Sequence, residues 1–318
     1  MVIMAKLVTL ILLLEAMVAS SFPGRLSMDY YVMSCAFVEP VVRNIVNQAL
    51  EDDPNLAAGL IRMHFHDCFI QGCDGSILID STKDNTAEKD SPGNLSLRGY
   101  EVIDKIKEEL EAQCPGVVSC ADIIALAARD AVFFAEGPYY DIPKGRRDGS
   151  RSKIEDTINL PFPTFNASEL IRVFGQRGFT PREIVALSGA HTLGVARCAS
   201  FKNRISGGQA IDPTLVDSEF AESLSRTCSA GDNAEQAFDA TKNVFDNLYF
   251  DALTRNNGLL TSDQTLYTHP QTKNFVEAYA FNQAMFFFDF QQAMVRMGLL
   301  DVKQGSNGQV RVNCRKVN

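Results

Sequence analysis

Eight cysteines, Cys35, Cys68, Cys73, Cys114, Cys120, Cys198, Cys228 and Cys314, constrain this chain more than any other feature. Their number is even and all lie beyond an apolar N-terminal leader, so four disulfides formed in an oxidising compartment are expected. The leader carries one lysine (Lys6), an apolar run from Leu7 to Leu14 and a small-residue site at Val18-Ala19-Ser20. Residues 1–20 therefore read as a secretory signal peptide and 21–318 as the exported domain. No Cys-x-x-Cys pair occurs, against zinc, and no Cys-x-x-Cys-His, against a haem attached through thioethers. Eight cysteines allow far too many pairings for spacing to choose among them.

Between the cysteines, helical periodicity dominates. Val38, Val41, Val42, Ile45, Val46, Ala49 and Leu50 recur at three- and four-residue steps, and Asp53-Pro54 opens a second helix. Val102, Ile103, Ile106 and Leu110 mark a helix ended by Cys114-Pro115; Ser119-Cys120-Ala121-Asp122 and Thr180-Pro181-Arg182-Glu183 have the form of capping boxes. A long aromatic helix is expected from about Thr272 to Met297, and a single short strand from Gln309 to Cys314. With no repeat or linker, this is one mainly α domain. Its net charge of −9 is unchanged by losing Lys6 and Glu15 with the leader, and no basic cluster is dense enough to hold phosphates, so nucleic acid is not expected as a partner. Beyond the leader no segment has the length of a membrane span.

The densest chemistry lies in Arg62-Met63-His64-Phe65-His66-Asp67-Cys68-Phe69. In a helix Arg62 and His66 stand at i and i+4 and project side by side. The following Ile70-Gln71-Gly72-Cys73-Asp74-Gly75-Ser76 reads as a tight loop folded around a hard cation. Among the other histidines, His64 falls on another side of the helix and reads as a hydrogen-bonded core residue, and His269 as a surface loop residue. His191 extends the apolar stripe Ile184, Leu187. Taken alone it would pass for a core histidine, but the small residues Ser188-Gly189-Ala190 leave room for something broad. One neutral His on one helix and an Arg/His pair on another suit a flat metal cofactor ligated from one side and open on the other, and haem fits. On the open side the Arg and the unligated His would cleave an O–O bond by charge stabilisation and proton transfer.

These segments, with Asn94, Gly145-Arg146-Arg147-Asp148, Ala186-Leu187-Ser188-Gly189-Ala190-His191-Thr192, Phe245-Asp246-Asn247 and Ser262-Asp263-Gln264, resemble the secreted (class III) plant haem peroxidases over essentially the whole mature chain. The resemblance implies a mainly α, two-lobed haem peroxidase fold with minimal β structure, the haem lying between distal and proximal helices. It implies that His66 is the distal general base, Arg62 the distal cation and Asn94 the amide that orients His66. It makes His191 the axial ligand of a non-covalent haem b, Asp263 the carboxylate on that ligand's other ring nitrogen, and Pro143 a backbone position near the haem edge where phenols dock.

Two Ca²⁺ ions follow from the same resemblance. The distal one would take Asp67, Asp74 and Ser76 side chains, Ile70 and Gly72 carbonyls and, through water, Glu88; the proximal one would take Thr192, Asp239, Thr241, Val244 and Asp246. The segment Phe238-Asp239-Ala240-Thr241 is one residue shorter than the family pattern, so the proximal site is expected to bind more weakly. The implied disulfides are Cys35–Cys114, Cys68–Cys73, Cys120–Cys314 and Cys198–Cys228. The chain has no tryptophan, against the intracellular relatives that place one beside the proximal His, and the family's usual Trp is replaced near Tyr139-Tyr140. Of two glycosylation sequons, Asn166-Ala167-Ser168 is the acceptor, since Asn94 would be buried.

The expected activity is reduction of H2O2 with one-electron oxidation of phenolic donors by a secreted monomer. The chain stops four residues after Cys314 without an apolar extension, which points to the cell wall or apoplast. The rival readings are a non-catalytic, calcium-dependent secreted binding protein of the same fold and a serine hydrolase using Ser188 and His191. The latter lacks a Gly-x-Ser-x-Gly elbow.

Overall fold

The computed structural model describes residues 26–205 and 216–318, and the expected signal peptide lies outside them. Eleven α-helices occur among the described residues: α1 Val38–Asp52, α2 Leu56–Ile70, α3 Tyr100–Gln113, α4 Cys120–Phe134, α5 Ala167–Gln176, α6 Pro181–Ser188, α7 Ser218–Cys228, α8 Leu248–Thr254, α9 Thr261–Thr268, α10 Lys273–Phe281 and α11 Gln283–Met297. The main core is continuous from Tyr31 to Cys314, with a satellite cluster of Ala196, Cys198, Phe201, Leu224, Leu259 and Leu260. Helix α2 packs chiefly on α4, which also takes α1, while α6 packs on α11. The four disulfides are Cys35–Cys114, Cys68–Cys73, Cys120–Cys314 and Cys198–Cys228.

Local chemistry sets where the elements begin and end. Asp53 Oδ1 accepts from Asn55 N at 3.0 Å, which holds a turn, so α2 starts at Leu56, two residues after Pro54. The Thr180 capping box is complete: Glu183 N donates to Thr180 Oγ1 (3.3 Å) and Thr180 N to Glu183 Oε2 (2.8 Å), with Pro181 at the first helical position. At Ser119 only half a box forms, with Asp122 N donating to Ser119 Oγ at 3.2 Å. Asp122 is diverted inward, where its carboxylate accepts from Tyr31 Oη (2.7 Å), Gly145 N (2.6 Å) and Arg146 Nη1 (2.9 Å).

Two expectations fail for identifiable reasons. The aromatic stretch 272–297 is two helices, broken at Asn282 (φ −136°, ψ 95°), whose Oδ1 accepts from Met285 N at 3.0 Å and caps α11. Both helices bury apolar faces (Val276 and Tyr279; Phe286 and Phe290), so the apolar period runs on across the break. The tail 309–314 forms no strand; Gln309 makes an isolated bridge to Asp148, because Asp148 Oδ2 takes Arg311 N (2.8 Å) in place of a ladder partner. The sheet present is the antiparallel pair β1 Val195–Arg197 and β2 Glu235–Ala237, with Ala196 opposite Gln236.

The Gly145–Asp148 motif is structural. Arg146, buried, donates to Gly298 O (2.9 and 2.6 Å) as well as to Asp122, and Asp148 accepts from Ala121 N (2.9 Å). These bonds fasten the segment before α5 to the start of α4 and the end of α11. Removing one partner of such a buried pair costs about 3–5 kcal/mol, because the remaining charge is left without compensation.

His64 is buried, and its Nδ1 lies 3.6 Å from Cys68 Sγ, the one hydrogen-bond partner found for it among the described residues. Burial, with the Arg146 charge behind it, pushes the imidazole down from 6.5 to about 3. Between those values the unfolded chain binds a proton that the folded chain does not, so His64 costs stability as pH falls below 6.5 and costs nothing above it. Unfolding free energies from urea titrations across that window should therefore fall less steeply as pH is lowered in His64→Gln than in the parent, by up to about 1.4 kcal/mol per pH unit. Parallel slopes would show that His64 is already charged in the folded protein.

Candidate active site

Helix α2 presents Arg62 and His66 on one face, as the i, i+4 spacing predicts. Arg62 Nε donates to His66 Nε2 at 3.2 Å, while Nη1 and Nη2 are tied to Ser96 Oγ (2.9 Å) and Gly93 O (2.7 Å). These last two anchors were not legible in the sequence. Asn94, buried, completes the wall. Its Nδ2 donates to Glu88 O at 2.7 Å, so its Oδ1 must be the atom that faces His66 Nδ1, 2.5 Å away. An amide oxygen only accepts, so His66 carries its proton on Nδ1 and keeps a lone pair on Nε2. Burial, reinforced by Arg62, pushes His66 down from 6.5 to about 3, and the imidazole is neutral in ordinary buffers. Burial also lowers Arg62; Tyr100 opposes this, and the Arg197 charge adds to it.

The facing wall is the 3-10 turn Gly189–Thr192 that continues α6. A side chain on Gly189 would collide with Phe286 (2.4 Å) and Phe250 (2.8 Å), so this glycine admits protein aromatics and not, as the sequence suggested, room for a broad ligand. His191 sits past the helix end with 39% of its side chain exposed, against the expectation of an interior stripe. Its Nδ1 meets Asp263 Oδ1 at 2.7 Å, and Phe238 stacks on the ring at 4.4 Å between centroids. No hydrogen bond occupies His191 Nε2 among the described residues. The two walls meet where Gly194, with φ +87°, lies so close to Ala58 that a Cβ would approach its methyl to 2.7 Å.

Each wall adjoins a carboxylate cluster. Beside α2, Asp67 Oδ2 accepts from Gly75 N (3.0 Å), Asp74 Oδ1 from Ser76 N (3.1 Å) and Glu88 Oε2 from Ser76 Oγ (3.0 Å), and all four side chains are buried. Burial first and the neighbouring Asp74 next push the Asp67 carboxyl well above its usual range; burial and Asp67 push Glu88 up to about 9. Glu88 Oε1 has no hydrogen-bond partner, and Lys303 Nζ supplies one positive charge, 2.8 Å from Asp74 Oδ2. The Ile70 carbonyl already accepts from Asn159 Nδ2 (3.1 Å) and, at longer range, from Arg177 Nη2 (3.5 Å), so these donors compete with a cation for it. Gly72 packs under Asp301 in a left-handed conformation.

Beside His191, Thr192 Oγ1 lies within hydrogen-bond reach of both Asp239 Oδ2 (2.7 Å) and Asp246 Oδ1 (3.1 Å), with one proton to give to either, and Thr241 Oγ1 donates to Asp246 Oδ2 (2.8 Å). Val244 N donates to Thr241 O at 2.7 Å, closing the loop. Burial, the largest cause, raises the Asp239 carboxyl. In neither cluster do three or more His, Cys, Asp or Glu side chains among the described residues already form a group that could hold a metal ion.

Two other expected residues fall elsewhere. The carbonyl of Pro143 is taken by Arg146 Nη1 (2.6 Å), and adjacent Lys144 pairs with Ser27 and Glu39, so its contacts run toward α1 and not toward Arg62. The segment beside the distal wall is the turn at Leu160, whose side chain lies nearest Gly93, the residue that anchors Arg62. Ser188 Oγ donates back to Ile184 O at 2.9 Å, which leaves it no role as a nucleophile activated by His191. Asn166 is exposed as the N-cap of α5, whereas Asn94 is buried. A surface cavity of about 780 Å³ is lined by Leu160, Phe165, Arg172, Arg177, Leu300 and Asp301 among others, and neither His66 nor His191 lines it.

One wall built for acid–base work and another built to present an imidazole define, as a class, a haem peroxidase. The chain matches the Peroxidase family over residues 42–282. It is 67% identical over 315 residues to Peroxidase 47 of Arabidopsis thaliana, covering 99% of this chain and 96% of that protein. Identity is 47% to Peroxidase 64 of the same plant, over 92% of this chain and 93% of that one, and 48% to Peroxidase 5 of Vitis vinifera, over 93% and 92%. The chain belongs to the class III plant peroxidases and is a peroxidase enzyme. No helix among the described residues is long and apolar enough to cross a membrane.

Histidine-selective ¹⁵N labelling gives a direct check on the distal wall. His66 should show the neutral Nδ1–H tautomer at pH 5, and Asn94→Val should abolish that preference. A doubly protonated His66 at that pH would mean that the bond to Asn94 does not set its state.

Proposed function

We propose that Arg62, His66, Asn94, His191 and Asp263 carry the peroxidase reaction, with H2O2 as oxidant and small phenols as donors. The orientation of Asn94 by the Glu88 carbonyl supports this most directly, because it leaves the basic lone pair on His66 Nε2 beside the Arg62 guanidinium. His66 Nε2 accepts a proton from the bound peroxide and returns it to the departing oxygen as water forms. Arg62, held by Ser96 and Gly93, stabilises the negative charge that develops as the O–O bond lengthens.

The donor set fits haem b, held through His191 Nε2, since Asp263 fixes the other ring nitrogen and Phe238 fixes the ring plane. When bound, haem would supply the two electrons that reduce peroxide to water and would recover them one at a time from two donor molecules. Asp263 keeps His191 oriented and raises its basicity throughout. A non-catalytic binding protein would have no use for the paired tautomer and guanidinium.

The two carboxylate clusters fit Ca²⁺, a hard cation that takes oxygen ligands. Asp67, Asp74 and Ser76, with Ile70 and Gly72 carbonyls and Glu88 through a water, would hold one ion; Thr192, Asp239, Thr241, Val244 and Asp246 would hold the other. The orphaned Glu88 Oε1 and the raised Asp67 and Glu88 carboxyls support the first assignment, since buried like charges call for a cation. We further propose that residues 1–20 are removed on export, that 21–318 form one haem peroxidase domain acting as a monomer in the cell wall or apoplast, and that Asn166 carries a glycan. The acidic net charge of −9 favours neither nucleic acid nor an anionic membrane surface.

In stopped-flow mixing with H2O2, His66→Ala should slow peroxide cleavage at least ~10²-fold with the haem spectrum retained. Guaiacol oxidation should fall with it. His191→Ala should lose haem affinity instead. A near-parental rate in the first variant, or a five-coordinate histidine spectrum in the second, would reassign that role.

Chelator titration separates the cation sites. The distal carboxylates are fully enclosed, whereas Asp239, Thr241 and Asp246 are half-buried in the shortened loop, so the proximal ion should leave first and disturb His191 before His66. Metal counting alongside haem spectroscopy would show both ions leaving together if the short loop is compensated.

A further inference from the structure

Asp263 is shared. Its Oδ1, which meets His191 Nδ1, also accepts from the hydroxyl of Tyr249 at 3.0 Å, and its Oδ2 accepts from Leu260 N at 2.9 Å. Arg204, anchored on Gly258 O and Leu260 O, contributes a positive charge on the same side. Tyr249 lies in the first turn of α8, is buried, and stands edge-on to the His191 ring with centroids 6.0 Å apart. A phenol is protonated at working pH, and burial together with the Asp263 charge raises this one well above its usual range, so it remains a donor.

We propose that Tyr249 is a positioning residue for the proximal pair: by placing a second donor on Asp263 Oδ1, it limits how much negative charge Asp263 lends to His191. The inference rests on the reading of His191 as the haem ligand. A carboxylate that accepts one hydrogen bond at an oxygen is a weaker acceptor for a second at the same atom, since the two donors draw on the same charge. His191 is thereby less imidazolate-like than an Asp–His pair without the phenol. An axial imidazole with less negative character favours oxidised iron less strongly. The phenol should therefore hold the ferric/ferrous midpoint higher than Asp263 alone would set it.

Tyr249 is also joined to the proximal carboxylates. Asp246 Oδ1, which receives Thr192 Oγ1, accepts from Leu248 N at 2.8 Å and so fixes the turn on which Tyr249 sits. One short path thus runs from the loop 239–246 through α8 to Asp263, beside the direct path through Thr192 to His191.

Tyr249→Phe removes the oxygen and leaves the ring. In the haem-loaded protein the ferrous fraction at a fixed potential near the midpoint should fall roughly threefold, the scale of part of one net hydrogen bond. The ferrous iron–histidine stretching frequency in resonance Raman should rise. A midpoint and frequency that stay put, or move the other way, overturn the proposal. If the parent itself shows no iron–histidine band, the reading of His191 fails and takes the inference with it. Should Tyr249→Phe not accumulate, 3-fluorotyrosine introduced at 249, a stronger donor, must raise the ferrous fraction and lower the frequency; the opposite shifts overturn the proposal.

Discussion

The distal wall depends on one hydrogen bond that touches no reactant, from Asn94 Nδ2 to the carbonyl of Glu88. Without it the amide could turn, His66 could place its proton on either nitrogen, and the base beside Arg62 would be present in only part of the population. The Glu88 carbonyl is held in turn, because the Glu88 side chain takes Ser76 Oγ within the buried carboxylate cluster. The acid cluster therefore sets the position of a backbone oxygen, that oxygen sets an amide, and the amide sets a tautomer. Electrostatic repulsion among Asp67, Asp74 and Glu88 is a cost that a bound cation would offset, which makes the same cluster both the weak point of the cation-free wall and the means of holding it.

The proximal wall is built on a similar plan with different material. Thr192, next to His191 in sequence, bridges Asp239 and Asp246, and Asp246 fixes the start of α8. Here the functional imidazole is bonded directly to a carboxylate, whereas His66 is bonded to a neutral amide. The difference suits the two jobs. A base that must accept and release a proton works best unburdened by a permanent negative neighbour, while a ligand that must stay put gains orientation and basicity from one.

Much of this was legible in the sequence because it rests on spacing and on residue types with few structural uses. Arg62 and His66 at i, i+4, the Thr180 capping box and the even cysteine count all carry their own physical reason. What was not legible depended on contacts across the fold. The break at Asn282 hides within a continuous apolar period, and Asp122 looks like a capping residue until Tyr31, Gly145 and Arg146 draw it inward. Gly189 signals a close approach but not that the intruder is Phe286. Pro143 and the turn at Leu160 offer similar prolines to a reader of sequence; only the anchoring of Arg62 on Gly93 shows which one borders the distal side. Tyr249 gives no local sign at all, being one of three aromatics, with Phe245 and Phe250, in a short mixed segment.

The buried ion pairs set the frame within which these small distances hold. Arg129 with Asp130, Arg146 with Asp122 and Arg311 with Asp148 are all inside the protein; the last two tie the Gly145–Asp148 segment to α4 and to the C-terminal tail, and Arg129 also reaches Glu39 of α1 at 3.1 Å. Such pairs add little net stability compared with well-packed apolar groups, because desolvation offsets most of their attraction. Their value here is directional: Arg146 has donors for both Asp122 and Gly298 O, and a leucine of equal volume would fill the space without fixing the angle between α4 and the end of α11. That end carries Leu300, whose carbonyl accepts from Cys73 N at 3.0 Å in the loop following α2. A charge pair remote from the chemistry thus constrains the backbone of the distal carboxylate loop, and through it the hydrogen bonds that fix Asn94 and the lone pair of His66.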